Sequence, residues 1–188
     1  RIAILGYGVV GGGVHALLRD GALGVEVAAV LDNRALEGLD GLITHDMADI
    51  LCDRRIDCVV EAIGGQRPAL DFVRASLAAG KHVVTSNKEM VSHAFGELHA
   101  LAAENGVQLR YSASVGGGIA WLHNLLRTAR GDRVTSLRGI VNGTTNYILD
   151  AMGAGADFGE ALLAAQALGY AEADPSADLD GLDAQRKC

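Results

Sequence analysis

Short apolar and β-branched runs alternate along the first part of the chain with Ala- and Leu-rich stretches of helical period. The runs Ile2 to Leu5, Val25 to Leu31, Cys58 to Ala62, His82 to Thr85 and Val107 to Tyr111 read as strands. Between them, residues 11–19, 68–79 and 93–105 read as helices. This alternation is that of an α/β protein with a doubly wound parallel sheet. The pattern changes after Tyr111. The glycine run Gly116 to Gly118 opens a helix to about Arg130, and Val134 to Val141 reads as a further strand. Asn142-Gly143-Thr144-Thr145 has the cap chemistry to start a helix through Met152, and Asp157 to Ala167 reads as another, with Gly169 at its C-terminal end. The expected division is one domain over residues 1–112 and a second region over 113–188.

Immediately after the first strand stands Gly6-Tyr7-Gly8-Val9-Val10-Gly11, a G-x-G-x-x-G that opens a helix. The glycines differ in what they allow. Gly6 permits the tight turn, Gly8 lets a pyrophosphate approach the backbone, and Gly11 lets the helix pack closely on the sheet. The helix N-terminus, through Val9 and Val10, then offers free N–H groups and a positive dipole to phosphate. Such a motif also closes purely structural turns. Here the strand before it, the helix after it and Asp32, about twenty residues further on at the end of the second strand, agree on a dinucleotide-binding, Rossmann-like domain. Asp32 suits the ribose hydroxyls of NAD, whereas Arg34 could pair with the 2′-phosphate of NADP, so these residues leave the choice open. Two more loops fall at carboxyl ends of strands, where such sheets present ligand contacts: Ile63-Gly64-Gly65 and Ser86-Asn87-Lys88. Lys88 reads equally as a phosphate contact and as a solvated loop lysine.

Composition narrows the function classes. The 188 residues are 49% hydrophobic and 21% charged, with 25 Gly and 2 Pro, which excludes a disordered or collagen-like chain. Sixteen Lys and Arg against 23 Asp and Glu leave a net charge of −7 with no basic cluster among aromatics, so neither nucleic acid nor an anionic membrane is an expected partner. No apolar run approaches the ~20 residues of a membrane span. The opening RIAILGYG has no secretory pattern, and Cys52, Cys58 and Cys188 show no C-x-x-C spacing, so a reducing cytoplasm is the expected setting.

Towards the end, Glu172, Asp174, Asp178, Asp180 and Asp183 crowd together ahead of Arg186 and Lys187. A calcium loop fails on register: with Gly181 as the loop glycine, the first ligand would be Ser176 and the bidentate position Lys187. Asp183 and Lys187 are i and i+4 and share a helix face. Spacing leaves two readings, a surface salt bridge worth a few tenths of a kcal/mol, or a pocket in which carboxylates hold a cationic amine while Lys187 moves a proton.

At this point the chain resembles the homoserine dehydrogenase family. The likeness runs through GYGVVGGG, EAIGG, TSNKEMV, SASVGGGIA, GIVNGTTNYIL and, most specifically, LGYAEADPSADLDGLDAQRK. The resemblance implies NAD(P)-dependent interconversion of L-homoserine and L-aspartate 4-semialdehyde, on the route to threonine, methionine and isoleucine. It implies Lys187 as catalytic acid/base, with Asp183 orienting it or the reacting hydroxyl. Glu172 would face the substrate amino group, Asp178 would be a further acid of that pocket, and Thr144 would help position the substrate. Nucleotide contacts would fall on Gly6 to Gly11 and on Lys88. The region from residue 113 would be the start of an α+β substrate and dimerisation domain, in a homodimer.

The chain departs from the family pattern in two places. Where the family has Y-E-A-S-V-G-G-G-I-P, this chain has Ser112 for the glutamate and Ala120 for the proline. The family holds a monovalent cation, usually sodium, near this loop; carbonyls of Val115, Gly117 and Ile119 would remain as ligands, with an anionic one lost and binding weakened. Family members also continue well past the lysine, whereas this sequence stops one residue after Lys187, which reads as a fragment. The competing functional reading is therefore a non-catalytic NAD(P)-binding fragment or module. A dehydrogenase for another amino-acid aldehyde is opposed by the NGTTNYIL and GYAEADP segments.

Overall fold

The apolar run IAIL forms β1 (Ile2–Leu5), a central strand of a six-stranded sheet in the computed structural model, which describes residues 1–19, 21 and 23–188. The following elements are α1 (Val9–Arg19), β2 (Val27–Leu31), β3 (Ile43–Thr44), α2 (Met47–Cys52), β4 (Cys58–Glu61), α3 (Ala69–Ala78), β5 (His82–Thr85), α4 (Lys88–Glu104) and β6 (Leu109–Arg110). The strand order is β3-β2-β1-β4-β5-β6, and every neighbouring pair is parallel. Strand order therefore reverses between β1 and β4, where such sheets open a crevice beyond their carboxyl ends.

Both faces of the sheet are covered, which is why its strands are apolar rather than alternating. Ala3, Leu5, Val59 and Val83 bury themselves with Val73 and Leu77 of α3 and Met90 and Leu98 of α4. Ile2, Ile4 and Val30 turn to the other face and meet Val14 and Leu18 of α1. Each such Val, Leu, Ile or Met side chain contributes roughly 1.5–3 kcal/mol through burial.

The chain divides into two compact units, Arg1–His123 and Asn124–Cys188. Helix α5 (Trp121–Thr128) straddles that division, and the second unit continues with α6 (Gly143–Gly153), α7 (Phe158–Ala167), α8 (Ser176–Leu179) and α9 (Leu182–Lys187). Asn142 caps α6, and Asp157 with Glu160 forms a reciprocal capping box on α7. Gly169, at φ +77°, terminates α7 as its position predicts. Ile148 of α6 and Ala161 and Ala165 of α7 form a small core with Ala171.

Three expectations change. Val134 to Val141 forms no strand: it runs without a ladder partner among the described residues, with Ile140 77% exposed, because β-forming residues need a second strand to pair with. The helix predicted from His93 begins at Lys88, since Asn87 Oδ1 accepts from Met90 N at 3.1 Å; the predicted stretch is the part around and beyond a non-helical residue, Ala94. β3 and α2 have no counterpart among the elements that the pattern predicts; Asp46 caps α2 by accepting from Ala48 N at 2.8 Å.

Candidate functional site

In the first unit the glycine loop bends between β1 and α1, and its glycines are distinguishable by what surrounds them. Gly6 has φ +86°, and a Cβ there would lie 2.9 Å from the Ala62 carbonyl oxygen. At Gly11 a Cβ would lie 2.0 Å from the Gly6 carbonyl oxygen, so only a hydrogen fits where α1 crosses the loop. A Cβ at Gly8 would meet nothing within 4 Å. Gly8 thus borders open space that a ligand can occupy. Val9 and Val10 form the exposed first turn of α1, where backbone N–H groups have no intrahelical acceptor.

Beside this loop a cavity of about 460 Å³ is lined by Gly6, Tyr7, Gly8, Asp32, Arg34 and Ile63, among others. Asp32 follows β2 directly, and its side chain is 9% exposed. Its Oδ2 accepts from Tyr7 N at 2.8 Å, and Arg34 donates to both carboxylate oxygens at 2.9 Å. The Arg34 fork, against the opposing effect of burial, holds the Asp32 carboxyl well below the usual carboxylate range.

Gly64, Ser86 and Lys88 do not line that cavity; they follow β4 and β5 along the same carboxyl edge. A buried group that the sequence reading does not single out orders these loops. Glu61, fully buried at the end of β4, accepts from Ile63 N at 2.8 Å and Gly64 N at 3.2 Å through Oε1, and from the Thr85 hydroxyl through Oε2. Thr85 Oγ1 in turn accepts from Asn87 N at 3.0 Å, and Asn87 Nδ2 donates to Gly65 O at 2.6 Å. A carboxylate ending an otherwise apolar strand is the signal that could have found it.

In the second unit, Lys187, Asp183 and Asp178 come together. Lys187 Nζ lies 2.5 Å from Asp183 Oδ2 and donates to Val141 O at 2.6 Å. The two side chains are only 18% and 8% exposed, which removes the surface-salt-bridge reading. Asn142, whose role beyond capping the sequence does not reveal, joins the acids: Nδ2 donates to Asp178 Oδ1 and to Asp183 Oδ2, each at 2.7 Å. Its Oδ1 is fixed by Thr145 N at 2.8 Å and Thr145 Oγ1 at 2.9 Å, so the helix cap dictates which way the amide points.

Thr144 is buried and donates its hydroxyl to Tyr170 O. Glu172 is exposed, and its carboxylate makes no hydrogen bond or ion pair with the cluster among the described residues. Val115 is buried, Gly117 has φ +55°, and the Ile119 carbonyl accepts from Trp121 N at 2.8 Å. No group of three or more His, Cys, Asp or Glu side chains that could hold a metal occurs among the described residues.

Comparison with known proteins agrees with both halves. Residues 6–112 match the family profile of the homoserine dehydrogenase NAD binding domain, and residues 121–188 match that of homoserine dehydrogenase. The homoserine dehydrogenase of Synechocystis sp. is 43% identical over 100% of this chain and 46% of its own length, and that of Pseudomonas aeruginosa is 40% identical over the same shares. The crystal structure of a homoserine dehydrogenase from Thiobacillus denitrificans superposes with a TM-score of 0.88 at 40% identity, over 99% of this chain and 46% of that one. A hyperthermophilic archaeal homoserine dehydrogenase in complex with NADPH superposes with a TM-score of 0.85 at 25% identity, over 99% and 66%. The chain spans about half the length of the curated relatives it matches. It belongs to the homoserine dehydrogenase family.

Proposed function

We propose that the protein interconverts L-homoserine and L-aspartate 4-semialdehyde with NAD(P), as an enzyme of threonine, methionine and isoleucine biosynthesis acting in the cytoplasm as a homodimer. The observation that carries the reading is the half-buried Lys187 held against the buried Asp183. An ammonium has three N–H donors; Asp183 and Val141 O take two, and the third is left for an incoming oxygen.

The nicotinamide would supply or accept the hydride. Gly6, Gly8, the α1 N-terminus, Asp32, Gly64, Ser86 and Lys88 would hold the dinucleotide, and the open space at Gly8 beside a 460 Å³ cavity fits that role. On reduction, Lys187 gives its free proton to the aldehyde oxygen as negative charge develops there, and on oxidation neutral Lys187 takes the hydroxyl proton. Asp183 keeps the amine aimed, and Asn142 keeps Asp183 and Asp178 side by side by placing a donor between two acceptors. Glu172, being exposed and without a partner in the cluster, is available for the substrate ammonium, with Asp178 as the second acid. Thr144 positions the substrate through the turn it ties to Tyr170.

A monovalent cation fits this chain poorly. Ser112 brings no charge, and of the carbonyls at Val115, Gly117 and Ile119 the last already accepts Trp121 N–H. No step above uses one. The test is nicotinamide absorbance at 340 nm with the intact protein and L-homoserine, L-serine or L-threonine as the alcohol. Preference for homoserine supports the proposal, and equal or absent turnover with all three would overturn it.

A further inference from the structure

Three polar side chains at the carboxyl ends of β4 and β5 have no solvent to face. Glu61, Thr85 and Asn87 are 0%, 1% and 6% exposed. An ionised carboxylate only accepts hydrogen bonds, and at Glu61 donors from both strand ends converge: Ile63 N and Gly64 N on Oε1, and the Thr85 hydroxyl on Oε2. Thr85 Oγ1 is already an acceptor for Asn87 N, so its single hydrogen is the one given to Glu61. Asn87 then closes the circuit with both ends of its amide. Nδ2 donates to Gly65 O, and Oδ1 accepts from Met90 N to cap α4.

Burying a carboxylate costs free energy unless donors meet it, and a fully satisfied buried network rigidifies whatever it joins. Here it joins residues 63–65 to residues 86–88. The groups these loops offer to a ligand lie next to the buried ones: Ser86 and Lys88, on either side of Asn87, are partly exposed, and Gly64 and Gly65, at φ +82° and +67°, are exposed. The glycine loop and Asp32 belong to the β1-α1-β2 side of the strand reversal, which suits a pyrophosphate and the adenosine ribose. β4 and β5 stand on the other side, so the second nucleoside of a dinucleotide extends towards them.

Resting on the dinucleotide reading above, we propose that Glu61, acting with Thr85 and Asn87, is a positioning residue for the nicotinamide half of the dinucleotide. None of the three touches the ligand. They lock the loop after β4 to the loop after β5, so that Gly64, Ser86 and Lys88 are presented as one surface. Cutting the circuit lets the two loops settle independently, and the nicotinamide half loses its ordered seat while the adenosine half keeps its own.

The experiment compares a whole dinucleotide with its adenosine fragment on the intact protein: NADPH with 2′,5′-ADP, and NADH with ADP, dinucleotides by nicotinamide fluorescence and fragments by titration calorimetry. Thr85→Val removes the hydroxyl that links the strands, and Thr85→Ser restores it. Asn87→Ser keeps a cap for α4 but no longer reaches Gly65 O. Thr85→Val and Asn87→Ser should each lower the ratio of dinucleotide to fragment affinity roughly fivefold or more, the size of one lost hydrogen bond, with fragment affinity held within about twofold. Thr85→Ser should keep the original ratio. An unchanged ratio in Thr85→Val and Asn87→Ser, equal weakening of dinucleotide and fragment, or a Thr85→Ser protein as impaired as Thr85→Val would overturn the proposal. If Thr85→Val does not fold, Asn87→Ser decides alone. Failure of the unaltered protein to bind either dinucleotide would overturn the dinucleotide reading itself, a different outcome from an unchanged ratio.

Discussion

Replacing Gly11 and Gly8 separately should split stability from ligand binding. In Gly11→Ala the new methyl would sit 2.0 Å from the Gly6 carbonyl oxygen and 3.2 Å from Ile4 Cγ2. Ordinary contact begins near 3.4 Å, so α1 must withdraw from the loop by about 1.4 Å, and the obstacle is backbone rather than a flexible side chain. Overpacking of this kind costs ~1–3 kcal/mol, more when nothing can yield, and the better helix propensity of alanine returns under ~1 kcal/mol. The expected net loss is about 2 kcal/mol, a drop in the urea midpoint on the order of 1 M. Gly8→Ala meets nothing within 4 Å and should leave the midpoint unchanged, yet weaken NADPH binding tenfold or more, because on the proposed reading its methyl enters the space that the pyrophosphate would take. Urea titrations followed by far-UV circular dichroism, with NADPH fluorescence on the same samples, give both readings. A Gly11→Ala protein as stable as the original, or a Gly8→Ala protein that binds NADPH normally, would refute the reasoning.

Other substitutions reach the rest of the site. Asn142→Asp keeps the cap on Thr145 but turns a donor into a third acceptor between Asp178 and Asp183. Losing a hydrogen bond to a charged group costs ~1.5–3 kcal/mol, so kcat should fall on the order of 10- to 100-fold with NADPH affinity unaltered, and an unchanged kcat would remove Asn142 from the account. Glu172→Ala should raise KM for homoserine more than it lowers kcat, and unaltered substrate dependence would exclude the ammonium contact. The depressed Asp32 carboxyl contributes stability that is present above the unfolded value near pH 4 and is lost as the pH falls further. Arg34→Gln should therefore be less stable than the unaltered protein at pH 7, with the gap narrowing below about pH 4; a gap independent of pH would show that Arg34 does not hold that carboxyl down.

Much of the fold is legible because a parallel sheet covered on both sides writes itself as continuous apolar runs: Ile2 to Leu5 and His82 to Thr85 begin and end where the strands do. β3, with two residues, and α2, with six, are too short for a period to register. The apolar residues of Val134 to Val141 look the same whether or not a partner strand exists, and sequence cannot supply one. Within the site, Asp183 and Lys187 declare themselves by i,i+4 spacing. Asn142, which faces Asp183 from 41 positions away, does not, because only the folded chain brings the α6 cap to α9. Asp32 and Arg34 both stand out in the sequence, but which of them faces a ligand depends on hydrogen bonds that no spacing encodes.

The central claim is that Lys187 moves the proton in homoserine oxidation. Its most direct test compares Lys187→Ala with the unaltered protein in the same preparation, measuring homoserine-dependent turnover at 340 nm alongside NADPH binding by fluorescence. The account predicts a fall in kcat of roughly 10²-fold or more with NADPH affinity retained, since Lys187 lies outside the dinucleotide-binding unit. Turnover that survives the substitution would contradict it.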